Sequence, residues 1–354
     1  ALAAAGAAGA EGGAPAALEV RVAAAVSVAA PVPAAVVGFS AEYRQAPWLA
    51  ASPGFVQMMR NLRALDGVRG PNLRVGGNSA DLTWWDPTGE RDKGRSCGAS
   101  YSGAVCVRYA LNASDVEALA AAAEAVDGDL VLGVSMVQNG TAQWAREEAL
   151  GALRAAPRGL VVALEVGNEP DLYGEHGIRD PGYSAAAYMA EMQRYYLPVL
   201  AAAAAEGGTK GAPLLQGGTL CCKVPFTSHA QGIARALRSS GALKTWSQHG
   251  YGLAVQQVTP TVAALLSSDA VTSRIEHYLR PAAEVAAGAG VPFVVGETNS
   301  VNMGGRANVS DTFASALWAF DWTARLVKLN ATRVNFHGSD GCPYSWLGGF
   351  CDTS

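Results

Sequence analysis

The sequence is poor in the motifs that announce metal, redox or nucleotide chemistry. It has no C-x-x-C pair, which leaves zinc ribbons and thioredoxin-like exchange without support. It has no H-E-x-x-H, and its five histidines (His176, His229, His249, His277, His337) show no metal-ligand spacing, so no metal is expected. No G-x-S-x-G elbow supplies a serine nucleophile, and no G-x-G-x-x-G follows the first strand to cradle a dinucleotide. No cofactor is expected. Charge is scarce at 16% of residues, with 26 basic against 30 acidic groups and a net charge of −4. Without a Lys/Arg run there is no electrostatic footprint for a nucleic-acid partner. No clean apolar stretch of about 20 residues occurs, so no membrane span is expected.

What remains is an apolar chain with a regular grammar. Half of the 354 residues are hydrophobic, enough for one large domain or two ordinary ones. Residues 1–16 are low-complexity and expected to be disordered. Within 17–30, Leu18, Val20 and Val22 alternate with Glu19 and Arg21, the pattern of a half-buried N-terminal strand. From 31 to 354, short apolar runs ending in Gly, Asn, Ser or an acid alternate with Ala/Leu-rich segments of helical period. The runs are "VVGFSAEY", "LRVGGNSADLTWW", "LVLGVSM", "VALEVGNEP", "PLLQGGTL", "TWSQHGYG", "PFVVGETNS" and "RVNFHGSD". Among the helices, one opens on a capping box of Ser114 and Glu117. Another puts Phe313, Leu317, Phe320, Ala324 and Val327 on one stripe. Near-continuous apolar strands alternating with helices indicate parallel strands covered on both faces. The closed α/β arrangement of eight such units is a (β/α)8 TIM barrel, whose size range of roughly 200 to 400 residues fits.

Six cysteines and four sequons bear on compartment. Cys97 with Cys106, and Cys342 with Cys351, lie close together in Gly-rich segments and read as local disulfides; the adjacent Cys221 and Cys222 are ambiguous. N-x-S/T sequons at Asn112, Asn139, Asn308 and Asn330 are candidate N-glycan sites. Together these features favour a secreted protein or one in a lysosome- or vacuole-like lumen.

Barrel chemistry sits at the C-terminal strand ends. The fourth run ends in Asn168-Glu169 and the seventh in Gly296-Glu297-Thr298, so two carboxylates reach one mouth. Paired acids are the equipment of glycoside hydrolysis, in which one protonates the departing oxygen and the other attacks or activates water. From the sixth run, Gln248, His249 and Tyr251 are placed to hydrogen-bond a carboxylate nucleophile. Arg74 and Glu165 read as a structural ion pair inside the barrel, whose positive charge also favours an ionised neighbour.

The stretches "LRVGGNSADLTWWDP", "LEVGNEPDLY", "SQHGY", "VVGETNSVNMGG", "VSDTFASALWAFDW" and "RVNFHGSDGCPYSWLG" resemble, in the same order, the heparanase and β-glucuronidase family, glycoside hydrolase family 79. In detail they are more similar to its microbial exo-acting β-glucuronidases. The resemblance implies a retaining mechanism with Glu169 as general acid/base and Glu297 as nucleophile. It further implies that Asn168 bonds the sugar 2-hydroxyl and that Glu42 and Asn78 hold other hydroxyls. Gly304 and Gly305, with Tyr344, match the pocket for the glucuronate carboxylate, the glycine pair standing one residue further from the nucleophile than in heparanase. The expected partner is a glucuronate-bearing oligo- or polysaccharide or glycoconjugate.

The sequence departs from the family at its end, where the C-terminal β-sandwich is expected to be missing or truncated. Three functions follow. The first is an exo-β-glucuronidase releasing terminal glucuronate or its 4-O-methyl form. The second is an endo-acting, heparanase-like enzyme or another glycosidase of the clan, such as an arabinofuranosidase. The third is an inactive glycan-binding barrel.

Overall fold

Each apolar run becomes a strand. They are β1 (Val37–Glu42), β2 (Asn72–Gly76), β3 (Asp129–Val134), β4 (Val161–Val166), β5 (Leu215–Leu220), β6 (Leu243–His249), β7 (Phe293–Thr298) and β8 (Ala331–Gly338). The computed structural model describes residues 32–88, 109–206, 214–338 and 342–346. The expectations for residues 1–30, and the disulfides involving Cys97, Cys106 and Cys351, lie outside these residues, and so does the side chain of Cys342. All eight strands pair in parallel in chain order, and β8 returns to β1 through Val37 opposite Val334, closing the barrel. The fold is thus the expected (β/α)8 barrel.

Residues of β2, β3, β5 and β7 are buried at every position, as strands covered on both faces require. A separate parallel pair, Thr83–Trp85 with Tyr109–Leu111, lies outside the closed sheet. At the start of β3, Asp129 accepts bonds from Arg69, Asn72 and Arg333, tying three elements together by charge. Among the described residues, no helix is long and apolar enough to cross a membrane.

Two local expectations are corrected. Helix Ala113–Glu124 is capped by Asn112 and Asp115, not by Ser114 and Glu117: the Asn112 side chain accepts from the Asp115 N–H, and the Asp115 carboxylate accepts from the Asn112 N–H. Asn112 is therefore buried, whereas Asn139, Asn308 and Asn330 are exposed. In helix Phe313–Lys328 the stripe through Phe313 and Phe320 faces outward, these rings being 77% and 69% exposed. The neighbouring stripe of Trp318, Trp322 and Leu326 is the one packed inward. Both stripes have helical period, and the inward one carries the two indoles, whose burial removes the most apolar area.

Bulges at the strand ends shape the mouth. Register shifts fall between Gly218 and Leu220 on β5 and between Gln248 and His249 on β6, which sets His249 opposite Glu297. Such extra residues re-aim the side chains that follow them.

Candidate active site

Glu169 is delivered by a turn that few sequences tolerate. Gly167 takes φ +70°, and a side chain there would collide with the Tyr173 hydroxyl. Glu169 itself holds φ +51°, a left-handed conformation uncommon for a residue with a Cβ, and Pro170 follows it directly. Strain of this kind, of order 1–3 kcal/mol, persists where surrounding contacts over-determine it. Here the Glu169 N–H donates to the Thr219 carbonyl, and Asp81, buried below, accepts from the Asn168 N–H and the Tyr173 hydroxyl.

Glu297 comes from β7 and meets a different set of partners. Arg74, fully buried, donates to its Oε2 at 2.7 Å, and the Tyr251 hydroxyl donates to its Oε1 at 2.6 Å. The same guanidinium also reaches Glu165 at 2.7 Å, Ser40 at 2.9 Å and Asn168 Oδ1 at 2.9 Å. Gln216 completes the far side of Glu165. The Arg74–Glu165 pair is therefore part of a wider bridge that runs from the barrel interior to Glu297.

His249 Nδ1 stands 2.9 Å from Glu169 Oε1 and 4.0 Å from Glu297 Oε2, so it partners Glu169 first. Gln248 contacts neither carboxylate and instead donates to the carbonyls of Leu220 and Cys221. One oxygen of Glu169, one of Glu297 and a ring nitrogen of His249 all lie within 4.8 Å of one another. That grouping has the donors for a cation. However, Arg74 and Tyr251 already occupy both oxygens of Glu297, and a second positive charge would sit against a fixed guanidinium.

The two acids have opposite electrostatics. Burial, with the charges of Glu297 and Asp171, pushes the Glu169 carboxyl above its ordinary value, against the pull of His249. Burial also acts to raise Glu297, but the imidazoles of His337 and His249, the Arg74 guanidinium and the Tyr251 hydroxyl outweigh it. They hold Glu297 well below the usual carboxylate range. Two acids whose environments drive their protonation apart are the mark of an acid and a nucleophile, or an acid and a base, in one site.

Around them, Asn168 Nδ2 donates to Asn78 Oδ1, and Glu42 accepts from the N–H groups of Asn78 and Ser79. Tyr344 stacks on Tyr251 with centroids 6.4 Å apart, and its carbonyl accepts from Asn299, two residues beyond Glu297. Gly304 and Gly305 hold φ of +89° and +91°, and a Cβ on Gly305 would approach the Tyr344 nitrogen to 2.9 Å. The structure thus links Glu42, Asn78, Asn168, Glu297 and Tyr251 through Arg74 in one bonded set and puts the Glu169–His249 pair beside it, with Gly305 and Tyr344 adjoining. Three residues escaped the sequence reading. Ser40 bonds Arg74 and His337, His337 stands 3.7 Å from Glu297 and 3.6 Å from Glu42, and Asp81 holds Asn168. Alternation was the available signal for Ser40, two residues before Glu42 on β1.

No family model matches the chain. A protein from Aspergillus niger named β-glucuronidase is 28% identical over 316 residues, covering 82% of this chain and 55% of its own. A second, from Neurospora crassa and of the same name, is 27% identical over 214 residues, covering 55% of this chain and 37% of its own. The chain is similar to the β-glucuronidases. It spans about half the length, or less, of these relatives. Among solved structures, a 4-O-α-L-rhamnosyl-β-D-glucuronidase from Fusarium oxysporum aligns over 90% of this chain and 66% of its own, with TM-score 0.72 and 22% identity. An arabinofuranosidase aligns over 87% of this chain and 65% of its own, with TM-score 0.54 and 14% identity. At these identities the two structures speak for the barrel fold, and the likeness to β-glucuronidases in sequence rests on the two fungal proteins.

Proposed function

We propose that this chain is the catalytic barrel of a retaining exo-β-glucuronidase. The observation that carries the reading is the Glu169–Glu297 pair: oxygens within 4.8 Å and opposed protonation at the mouth of a barrel. Retaining enzymes keep their carboxyls roughly 5–5.5 Å apart, whereas inverting ones leave roughly 6.5–9.5 Å for a water. The sequence likeness to β-glucuronidases supports glucuronate as the sugar, whose carboxylate would lie at the Gly305–Tyr344 corner.

In the first step Glu297, charged and aimed by Arg74 and Tyr251, attacks the anomeric carbon while Glu169 gives its proton to the leaving oxygen. A glycosyl ester forms on Glu297 and the aglycone departs as an alcohol. Esterification removes the Glu297 charge, one of the influences that hold Glu169 protonated. Glu169 thereby becomes the better base, takes a proton from the incoming water, and the ester is hydrolysed with net retention. Asn168, fixed by Arg74 and Asp81, would bond the 2-hydroxyl in this reading.

The test is turnover of an aryl β-glucuronide beside the aryl β-glucoside and α-arabinofuranoside, with NMR observation of the first-formed anomer. Preferential release of the β-anomer of glucuronate supports the reading. An α-anomer as first product, or equal turnover of the glucoside, refutes it.

A further inference from the structure

One group of reactive side chains at the barrel mouth takes no part in this chemistry. Cys221 and Cys222 follow β5 directly, both are half-buried, and their sulfurs lie 2.7 Å apart. That is as short as the short end of an N–H···O bond, although sulfur is the larger atom. The segment is tied to both halves of the acid/base apparatus. Asp171, two residues beyond Glu169, accepts the N–H groups of Cys221, Cys222 and Lys223 at 3.0, 2.8 and 2.9 Å. Gln248, which precedes His249, donates to the carbonyls of Leu220 and Cys221 at 2.7 Å each.

We propose that Cys221 and Cys222 are a thiol-modification site, a vicinal pair that closes reversibly to a disulfide and in doing so slows the steps that need the Glu169 proton. The oxidant is a low-molecular-weight disulfide. One cysteine, as thiolate, attacks a sulfur of that molecule and expels a small thiol; the other then displaces the remaining half. The net exchange turns one small disulfide and two protein thiols into two small thiols and one Cys221–Cys222 bond. Neighbouring Cα atoms are only ~3.8 Å apart across a trans peptide, short of the usual ~4.4–6.8 Å span of a disulfide. A bond between them is therefore strained and readily reopened. The hydrogen bond to Cys222, and then burial, hold the Cys221 thiol above its ordinary value, which makes Cys221 a poor first attacker. Closing the ring rotates the Cys221–Cys222 peptide, withdraws donors from Asp171, and shifts the turn that carries Glu169.

The pair reports independently of the other four cysteines, because cleavage after Lys210 and Lys223 isolates them in one peptide. The full chain is equilibrated with oxidised glutathione or with a phosphine reductant, alkylated, digested and weighed. The expected result is that the oxidised peptide lacks two hydrogens and takes no alkyl group, while the reduced one takes two. A trivalent arsenical, phenylarsine oxide, should protect both cysteines in the reduced chain but fail to protect the remaining Cys221 in Cys222→Ser. Two freely alkylated cysteines after oxidation, or unchanged arsenical protection in Cys222→Ser, overturns the site. The kinetic half rests on the glucuronidase reading, whereas the mass and arsenical measurements need no activity at all. Oxidation should lower kcat several-fold for an alkyl glucuronide and far less for a nitrophenyl one, with Cys221→Ala/Cys222→Ala indifferent to redox state. Equal rates in both forms of the unmutated chain overturn the coupling.

Discussion

Arg74→Met removes the cation that holds two acids of the barrel together. Arg74 is fully buried and bonded to Glu165, Glu297, Ser40 and Asn168, so the change leaves two buried carboxylates facing an apolar thioether. Breaking a buried ion pair by deleting one partner costs about 3–5 kcal/mol, most of it from the charge left uncompensated. The loss should depend on pH. In the unmutated chain Glu297 is held below its unfolded value, so its contribution is present above the unfolded pKa and is lost only as pH falls through the very low folded one. Without Arg74 one of the influences that lower Glu297 is gone, so its pKa moves up while His337, His249 and Tyr251 still hold it down. The stabilisation lost with Arg74 is then fully felt above the new folded pKa and disappears as pH falls through it. The destabilisation measured by urea unfolding should therefore be largest near neutral pH and shrink towards acid. In kinetics, the acidic limb of kcat/KM should move upward into an accessible range. Asn168 also loses a charge-assisted bond, and at about 1.5–3 kcal/mol for such a bond the maximal rate should drop by roughly 10- to 150-fold. A loss under about 1 kcal/mol, or one independent of pH, would refute the view that Arg74 helps to keep Glu297 charged.

Three further outcomes are expected. Glu297→Gln should abolish turnover of every substrate, whereas Glu169→Gln should keep activity on nitrophenyl glucuronides, whose leaving groups need little protonation; covalent labelling by a fluorinated glucuronide should map to Glu297. His249→Asn should shift both limbs of the pH–rate profile upward, because His249 lowers both Glu169 and Glu297; a basic limb that stays in place would exclude it as the Glu169 partner. Gly305→Val should raise KM for glucuronides sharply, since φ +91° and the Tyr344 nitrogen 2.9 Å away leave no room for a branched side chain. Tyr344→Phe is the milder partner of that test, and discrimination against glucosides, expected near 10⁴-fold from an unpaired donor set, should erode in both.

The barrel was legible because its signals repeat. Each strand is a short apolar run stopped by Gly or a polar residue, and the eight stops are also the eight places where chemistry can stand. Legibility failed where two readings share one period. On helix Phe313–Lys328 both the Phe and the Trp stripes recur every three to four residues, and periodicity alone does not say which is inside. At helix Ala113–Glu124 two overlapping Asn/Ser-plus-acid pairs qualify as a capping box, and the one nearer the strand closes.

The site shows the same limit in sharper form. Glu169 and Glu297 were visible because a carboxylate at a strand end has a local signature. Ser40, Asp81 and His337 were not, because each acts through a partner distant in sequence: His337 meets Ser40 across 297 positions, and Asp81 meets Asn168 across 87. Such contacts depend on barrel closure and bulge register, which alternation does not encode. Yet these hidden residues help to turn two chemically identical acids into different reagents. Glu297 stays charged because Arg74 is itself anchored by Glu165 and Ser40, and because His337 approaches from β8. Glu169 keeps its proton because burial and the charges of Glu297 and Asp171 outweigh the pull of the His249 imidazole. The pair of acids names a class of reaction, and the asymmetry of their surroundings assigns the roles within it.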